Sequence, residues 1–338
     1  MARQTDLQKV LFPVEEQPIF FMPRKYDFKK IKNYKAIVNK SNNTIISVVS
    51  SDYQLITNER ALELGKKCFK QVFQTINTND MEVYNITFPQ TRSFCHIDVI
   101  HKNYTLNIGK KEVWLPFIRI TNSYNRTKAL CFDFGFCREL CENGVIFEKE
   151  AIRYKYFHVT GQIRPMFGHN GLETKLKKME DYFSNYINIL TKYQIDSSHV
   201  LPMVFKVFNL NFKINEENKI KTIKERQQLY YLNEHILSLT QKYFNELGEN
   251  GYAMLSILSD FASRPPKLNL SVFKAPHLKI DTLQKRVSHW IDEFCRQIKR
   301  KEFSIEEYLE EYLEEYLKEY MNKVDIWESA FEHNLFYT

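Results

Sequence analysis

Arg119–Ile146 reads RITNSYNRTKALCFDFGFCRELCENGVI, and its alternation decides the fold. Leu130, Phe132, Phe134, Phe136 and Leu140 alternate with Cys131, Asp133, Gly135, Cys137, Glu139 and Cys141. A period of two is that of a half-buried strand, apolar on one side and small or polar on the other. Asn122-Ser123-Tyr124-Asn125 has the composition of a turn, which predicts a hairpin between Ile118–Thr121 and Lys128–Phe134. Working outward, β-branched and alternating runs predict strands at Thr44–Ser50, Val83–Phe88, Ser93–Ile100, Tyr104–Ile108, Val113–Thr121, Gly144–Glu148 and Ile152–Val159. Parallel crossovers need a dozen or more residues, so strands this closely spaced pair antiparallel. Thr57 is placed to cap a helix from Asn58 to about Thr75, with Ala61, Gly65, Cys68, Phe69, Val72 and Ile76 on its buried side.

From Leu172 the period becomes helical. Leu176, Met179, Tyr182, Phe183, Tyr186 and Leu190 mark one face of a long helix. Further helices are expected after Pro202, over Ile223–Leu247 and over Tyr252–Ala262, with Pro265-Pro266 as a stop. Asp281 with Gln284, and Ser304 with Glu307, have the spacing of capping boxes. The class expected is α+β: an antiparallel sheet with a flanking helix in the N-terminal half and a mostly helical C-terminal half. The boundaries expected are a basic arm or strap over 1–46, an antiparallel α+β domain over 47–165, a helical region over 166–301 and an acidic amphipathic helical tail over 302–338. In the tail Leu309, Leu313, Leu317 and Met321 sit four apart, which suits a local docking helix better than a long coiled coil.

Charge divides the chain in the same way. Residues 302–338 carry 11 acidic and 2 basic side chains, leaving 46 basic and 30 acidic in 1–301. A body of net +16 attracts polyanions, and an acidic tail competes for the same surface. Within 1–40, Arg24, Lys25, Lys29, Lys30, Lys32 and Lys35 crowd around Tyr26, Phe28 and Tyr34. This stretch reads either as a nucleic-acid arm or as a strap packed along the body by its aromatics, and Pro13, Pro18 and Pro23 argue against regular structure ahead of it.

Several classes are disfavoured. No apolar run approaches the ~20 residues of a membrane span, and Met1–Val10 lacks the apolar core of a signal peptide, so a cytoplasmic protein is expected. Six cysteines without paired spacing read as reduced thiols. Cys131, Cys137 and Cys141 are too widely spaced along one strand for a zinc knuckle, so no metal and no cofactor is expected. Nine scattered glycines form no phosphate loop, which argues against an ATPase.

Four places resemble a phage- and plasmid-borne family known as domain of unknown function 932. They are Ser51–Asn58 leading into Glu59–Leu62; Asn122–Tyr124 followed by Gly135–Gly144; His158–Gly161; and Gly251–Ala253 with Asp260–Ser263. The match runs in order from about Ser47 to Pro266. It implies a mobile-element protein acting in DNA metabolism or in conflict with a host.

Arg119, Arg126, Lys128, Arg138, Arg153, Lys155 and Arg164 fall on or beside the expected sheet, interleaved with Tyr124 and Tyr154. Cations that track phosphates and aromatic faces that stack on bases are what single-strand binding requires. In Arg153–His158 the odd positions share one face and the tyrosines the other, so the tyrosines either stack on bases or belong to the core. The sheet, the basic charge and the mobile-element setting together resemble the single-strand annealing proteins of phages. The expected partner is therefore single-stranded DNA, with homo-oligomer formation left open and no catalytic residue assigned. Two other readings stand: an inhibitor that binds a host defence protein, and a metal-dependent nuclease using Asp98, Asp133, Glu139 and Glu148.

Overall fold

The structure, a computed structural model, describes residues 4–73, 77–108, 112–138, 144–145, 152–159, 172–210, 223–266, 276–300 and 303–313. The chain divides into two compact units, Met1–Tyr182 and Phe183–Thr338. The class is α+β, and every strand pairing is antiparallel. Among the described residues no helix is long and apolar enough to cross a membrane.

The first unit opens with a short helix, α1 (Gln4–Val10), and a three-stranded sheet ordered β1 (Val14–Arg24), β2 (Asp27–Asn39), β3 (Thr44–Ser50). After α2 (Asn58–Val72) come β4 (Met81–Thr87), β5 (Phe94–His101), β6 (Leu106–Ile108), β7 (Glu112–Ser123), β8 (Leu130–Arg138), β9 (Gly144–Val145) and β10 (Arg153–Tyr156). They form a second sheet in the order β10-β8-β7-β5-β4, with β6 on β7 and β9 on β8. The hairpin expected around Asn122–Asn125 is β7–β8, with Ile118 opposite Phe134 and Ile120 opposite Phe132. Its turn starts later than composition suggests. Asn122 stays in the strand because its buried amide donates to the Ile56 carbonyl at 2.9 Å and to Asn58 Oδ1 at 2.7 Å.

Thr57 caps α2 as expected, its hydroxyl accepting from the Arg60 N–H at 3.1 Å. The helix lies on the sheet through Ala61, Gly65, Cys68, Phe69 and Val72, all buried; Ile76 is outside the described residues. A Cβ at Gly65 would stand 2.3 Å from Ile120 Cδ1, so the glycine lets helix and strand approach closely. Phe69 and Phe73 then reach Phe134 across that gap.

The prolines were misleading. Pro18 and Pro23 both lie inside β1, a strand of 11 residues whose register shifts between Phe21 and Arg24, around Pro23. An edge strand needs only one side of its backbone for pairing, so a missing N–H on the outer side costs no ladder bond. Pro18 also sits where the β1–β2 register shifts.

In the second unit, the end of α3 (Leu172–Lys192) is followed by α4 (Val200–Phe208), α5 (Ile223–Leu247), α6 (Gly251–Ser263), α7 (Pro276–Ile298) and α8 (Ile305–Leu313). Asn250 caps α6 through the N–H groups of Tyr252 and Ala253, and α6 is buried from Gly251 to Ala262. Asp260 on α6 accepts from Tyr243 at 2.6 Å and pairs with Arg264 at 2.8 Å. Asp281 opens no helix, because α7 begins at Pro276, where a proline without an N–H is tolerated. Ser304 does cap α8, accepting from the Glu307 N–H. Leu309 is fully buried, and Lys206 Nζ donates to the Tyr308 carbonyl at 2.7 Å while lying over its ring. The first helix of the acidic tail is thus part of the helical core; residues 314–338 lie outside the described ones.

Candidate nucleic-acid interface

The sheet does not present its arginines. Register across five strands aligns Asn85, Asp98, Arg119, Asp133 and Arg153 in one row. Arg119 makes a bidentate pair with Asp98, Nε to Oδ1 at 2.7 Å and Nη2 to Oδ2 at 2.6 Å, and both residues are buried. Asn85 Nδ2 donates to Asp98 at 3.2 Å, and Arg153 Nε donates to Asp133 Oδ1. Arg119 therefore cannot meet a phosphate, and Arg153 is half-exposed but already held by a carboxylate. Arg138, opposite Trp114, is buried as well. The carboxylates suggested for a nuclease are engaged in the same row: Asp98 and Asp133 each hold an arginine, while Glu139 and Glu148 lie outside the described residues. No group of three or more potential metal ligands occurs among the described residues.

Tyr124 is also withdrawn from any surface. It is fully buried, its hydroxyl accepting from the Asn58 N–H at 2.9 Å. Around it lies a polar knot drawn from four distant segments. Tyr53 donates to the Ser123 carbonyl at 2.7 Å and stacks on His158, whose Nδ1 lies 3.1 Å from the Gln54 carbonyl. Asn58 Nδ2 reaches the Val10 carbonyl at 2.9 Å. Burial pushes the Tyr53 and Tyr124 hydroxyls up and the His158 imidazole down, which favours the neutral form of all three. Tyr154 faces the core too, edge-on to Phe134, and burial raises its hydroxyl to about 12. The alternation in Arg153–His158 places tyrosines inward and Arg153, Lys155 and Phe157 outward.

Besides half-exposed Arg153, three of the expected cations lie near solvent. Arg126 is exposed at the β7–β8 turn with a left-handed backbone (φ 61°); it donates to Ser50 and lies 3.5 Å from Asp52. Lys128 lies over the Phe94 ring at 5.8 Å and exposed Lys155 over the Phe157 ring at 5.0 Å. Arg164 lies outside the described residues. Arg92, which the sequence did not single out, is exposed on the β4–β5 turn over the Phe12 ring.

A denser group of exposed cations and aromatics lies on β1–β2, whose outer half does not pack along the body by its rings. Ala36, Ile37, Val38 and Asn39 at the end of β2 are buried, whereas Phe28, Lys29, Lys30, Lys32, Asn33 and Tyr34 are exposed. On β1 Phe20, Phe21, Met22, Pro23 and Arg24 are exposed as well. Phe20 stands opposite Lys30 and Phe21 opposite Lys29, so each face of the ribbon carries rings beside ammonium groups. Charge is graded along it. Lys35 and Lys40, near the root, pair with Glu16 and Glu15. Towards the tip Lys29 pairs with Asp27 at 3.7 Å, while Arg24, Lys25, Lys30 and Lys32 pair with no described carboxylate.

No protein-family model, curated protein or solved structure matches the chain.

Proposed function

We propose that this chain binds single-stranded DNA through the β1–β2 arm and helps complementary strands to pair, as a protein of a mobile element. The observation that carries this reading is the arm itself: four cations without a described carboxylate partner, interleaved with exposed Phe20, Phe21, Tyr26, Phe28 and Tyr34. Ammonium and guanidinium groups neutralise phosphates and release counterions, and aromatic faces stack on bases of any identity. Pairing of two arms with each other is disfavoured, because Arg24–Lys35 contains six cations and one carboxylate.

The mobile-element setting rests on the resemblance to the phage- and plasmid-borne family. Segments taken from three of its four places, Tyr53–Asn58, Asn122–Tyr124 and His158, converge on the one buried knot, which supports reading them as parts of a single pattern.

Excising the arm tests the proposal. Ile19 and Ile31 are cross-strand partners, so Phe20–Lys30 can be replaced by Asn-Gly, a favoured two-residue hairpin turn. Fluorescence anisotropy with labelled oligothymidine should then show affinity reduced at least about tenfold at low salt, with the thermal unfolding midpoint little changed. Retained affinity in the excised, folded protein would refute the arm as the site.

A further inference from the structure

Tyr26, at the arm's tip, occupies a position the fold gives it no reason to hold. β1 and β2 are joined by the two-residue turn Lys25-Tyr26, closed by the Arg24–Asp27 pair. Tyr26 has φ 67°, the left-handed region that suits glycine or asparagine and disfavours a bulky side chain. Its ring does not compensate by packing: at 79% it is the most exposed of the large hydrophobic side chains among the described residues. Backbone strain without burial points to an interaction made outside the chain. Lys25 Nζ lies over one face of the ring, 5.3 Å from its centroid, so a cation stands within reach of whatever stacks on the tyrosine. Phe28, two residues on, is also largely exposed.

We propose that Tyr26 is a base-stacking residue that makes the arm select unpaired nucleotides over duplex, with Lys25 meeting the adjacent phosphate. This rests on the nucleic-acid reading above and specifies its substrate. Base faces are covered in a duplex and open in a single strand, whereas phosphates are available in both. The lysines therefore bind either form, and the tyrosine favours the unpaired one.

The test uses Tyr26→Gly and Tyr26→Phe in the full chain, with labelled oligothymidine and a blunt duplex of equal length. Glycine removes the ring while relaxing the backbone, so the unfolding midpoint should hold or rise. Single-strand affinity should fall about tenfold, duplex affinity should not change, and Tyr26→Phe should behave as the parent. Equal loss on both DNAs, or no loss, overturns the proposal while leaving the arm's lysines as the site. If the parent binds neither DNA but binds vesicles containing phosphatidylserine, both this proposal and the DNA reading fall.

Discussion

Arg119 and Lys30 are both cations on β-strands within the first unit, and their surroundings give them opposite roles. The Arg119 guanidinium lies in a buried row with Asp98 bonded to it and Asp133 across the next strand; Lys30 stands on an exposed ribbon opposite a phenylalanine. Removing one partner of a buried pair leaves an uncompensated charge, so Arg119→Ala should cost about 3–5 kcal/mol of stability. Urea unfolding measures this, and the folded fraction should bind single-stranded DNA like the parent. A stable Arg119→Ala protein that has lost DNA binding would return the sheet to the interface. The sequence placed Arg119, Arg138 and Arg153 near the sheet but could not show which carboxylate each would face. That depends on register between strands distant in the chain, and a shift of one residue reverses every side. For the tyrosines, alternation within Arg153–His158 was informative because strand periodicity is local; for Tyr124 it was not, because the tertiary knot around Asn58 and Asn122 extends the strand past its turn-like composition.

Elements were more legible than residues. The α2 cap, the β7–β8 hairpin and the α5 and α6 helices lie where propensity and period place them, since these signals are short in range. β1 was missed because proline argues against a central strand but not against an edge strand. The start of α7 was missed because a capping-box spacing also occurs inside helices. Close packing of α2 against β7 yields a sharp expectation at Gly65. Replacing glycine with alanine in a helix interior ordinarily gains about 1 kcal/mol, but overpacking a core costs about 1–3 kcal/mol. The nearest atoms belong to Ile120, a β-branched side chain in the sheet's centre with little room to rotate. Gly65→Ala should therefore lower the thermal unfolding midpoint; a raised midpoint would show that helix and sheet do not meet as closely as the structure has them.

At the scale of the whole molecule, the sign of the charge was legible in the sequence and the burial of Arg119 and Arg138 was not. The first 301 residues carry a net +16; within the sheet Arg119 and Arg138 are buried, while Arg24, Lys25, Lys30 and Lys32 stand exposed on the arm. The acidic tail is likewise divided: Ile305–Leu313 packs into the helical unit through Leu309, while Glu306, Glu307 and Glu310 stay exposed. The central claim is that arm lysines contact phosphates, and counterion release reports such contacts directly. For single strands the slope of log K against log salt is about −0.7 per phosphate neutralised. The decisive measurement is that slope for the parent and for Lys25→Gln, Lys30→Gln, Lys32→Gln combined. Three lost contacts should make it shallower by about 2, with the fold intact. Identical slopes for the two proteins would contradict the account.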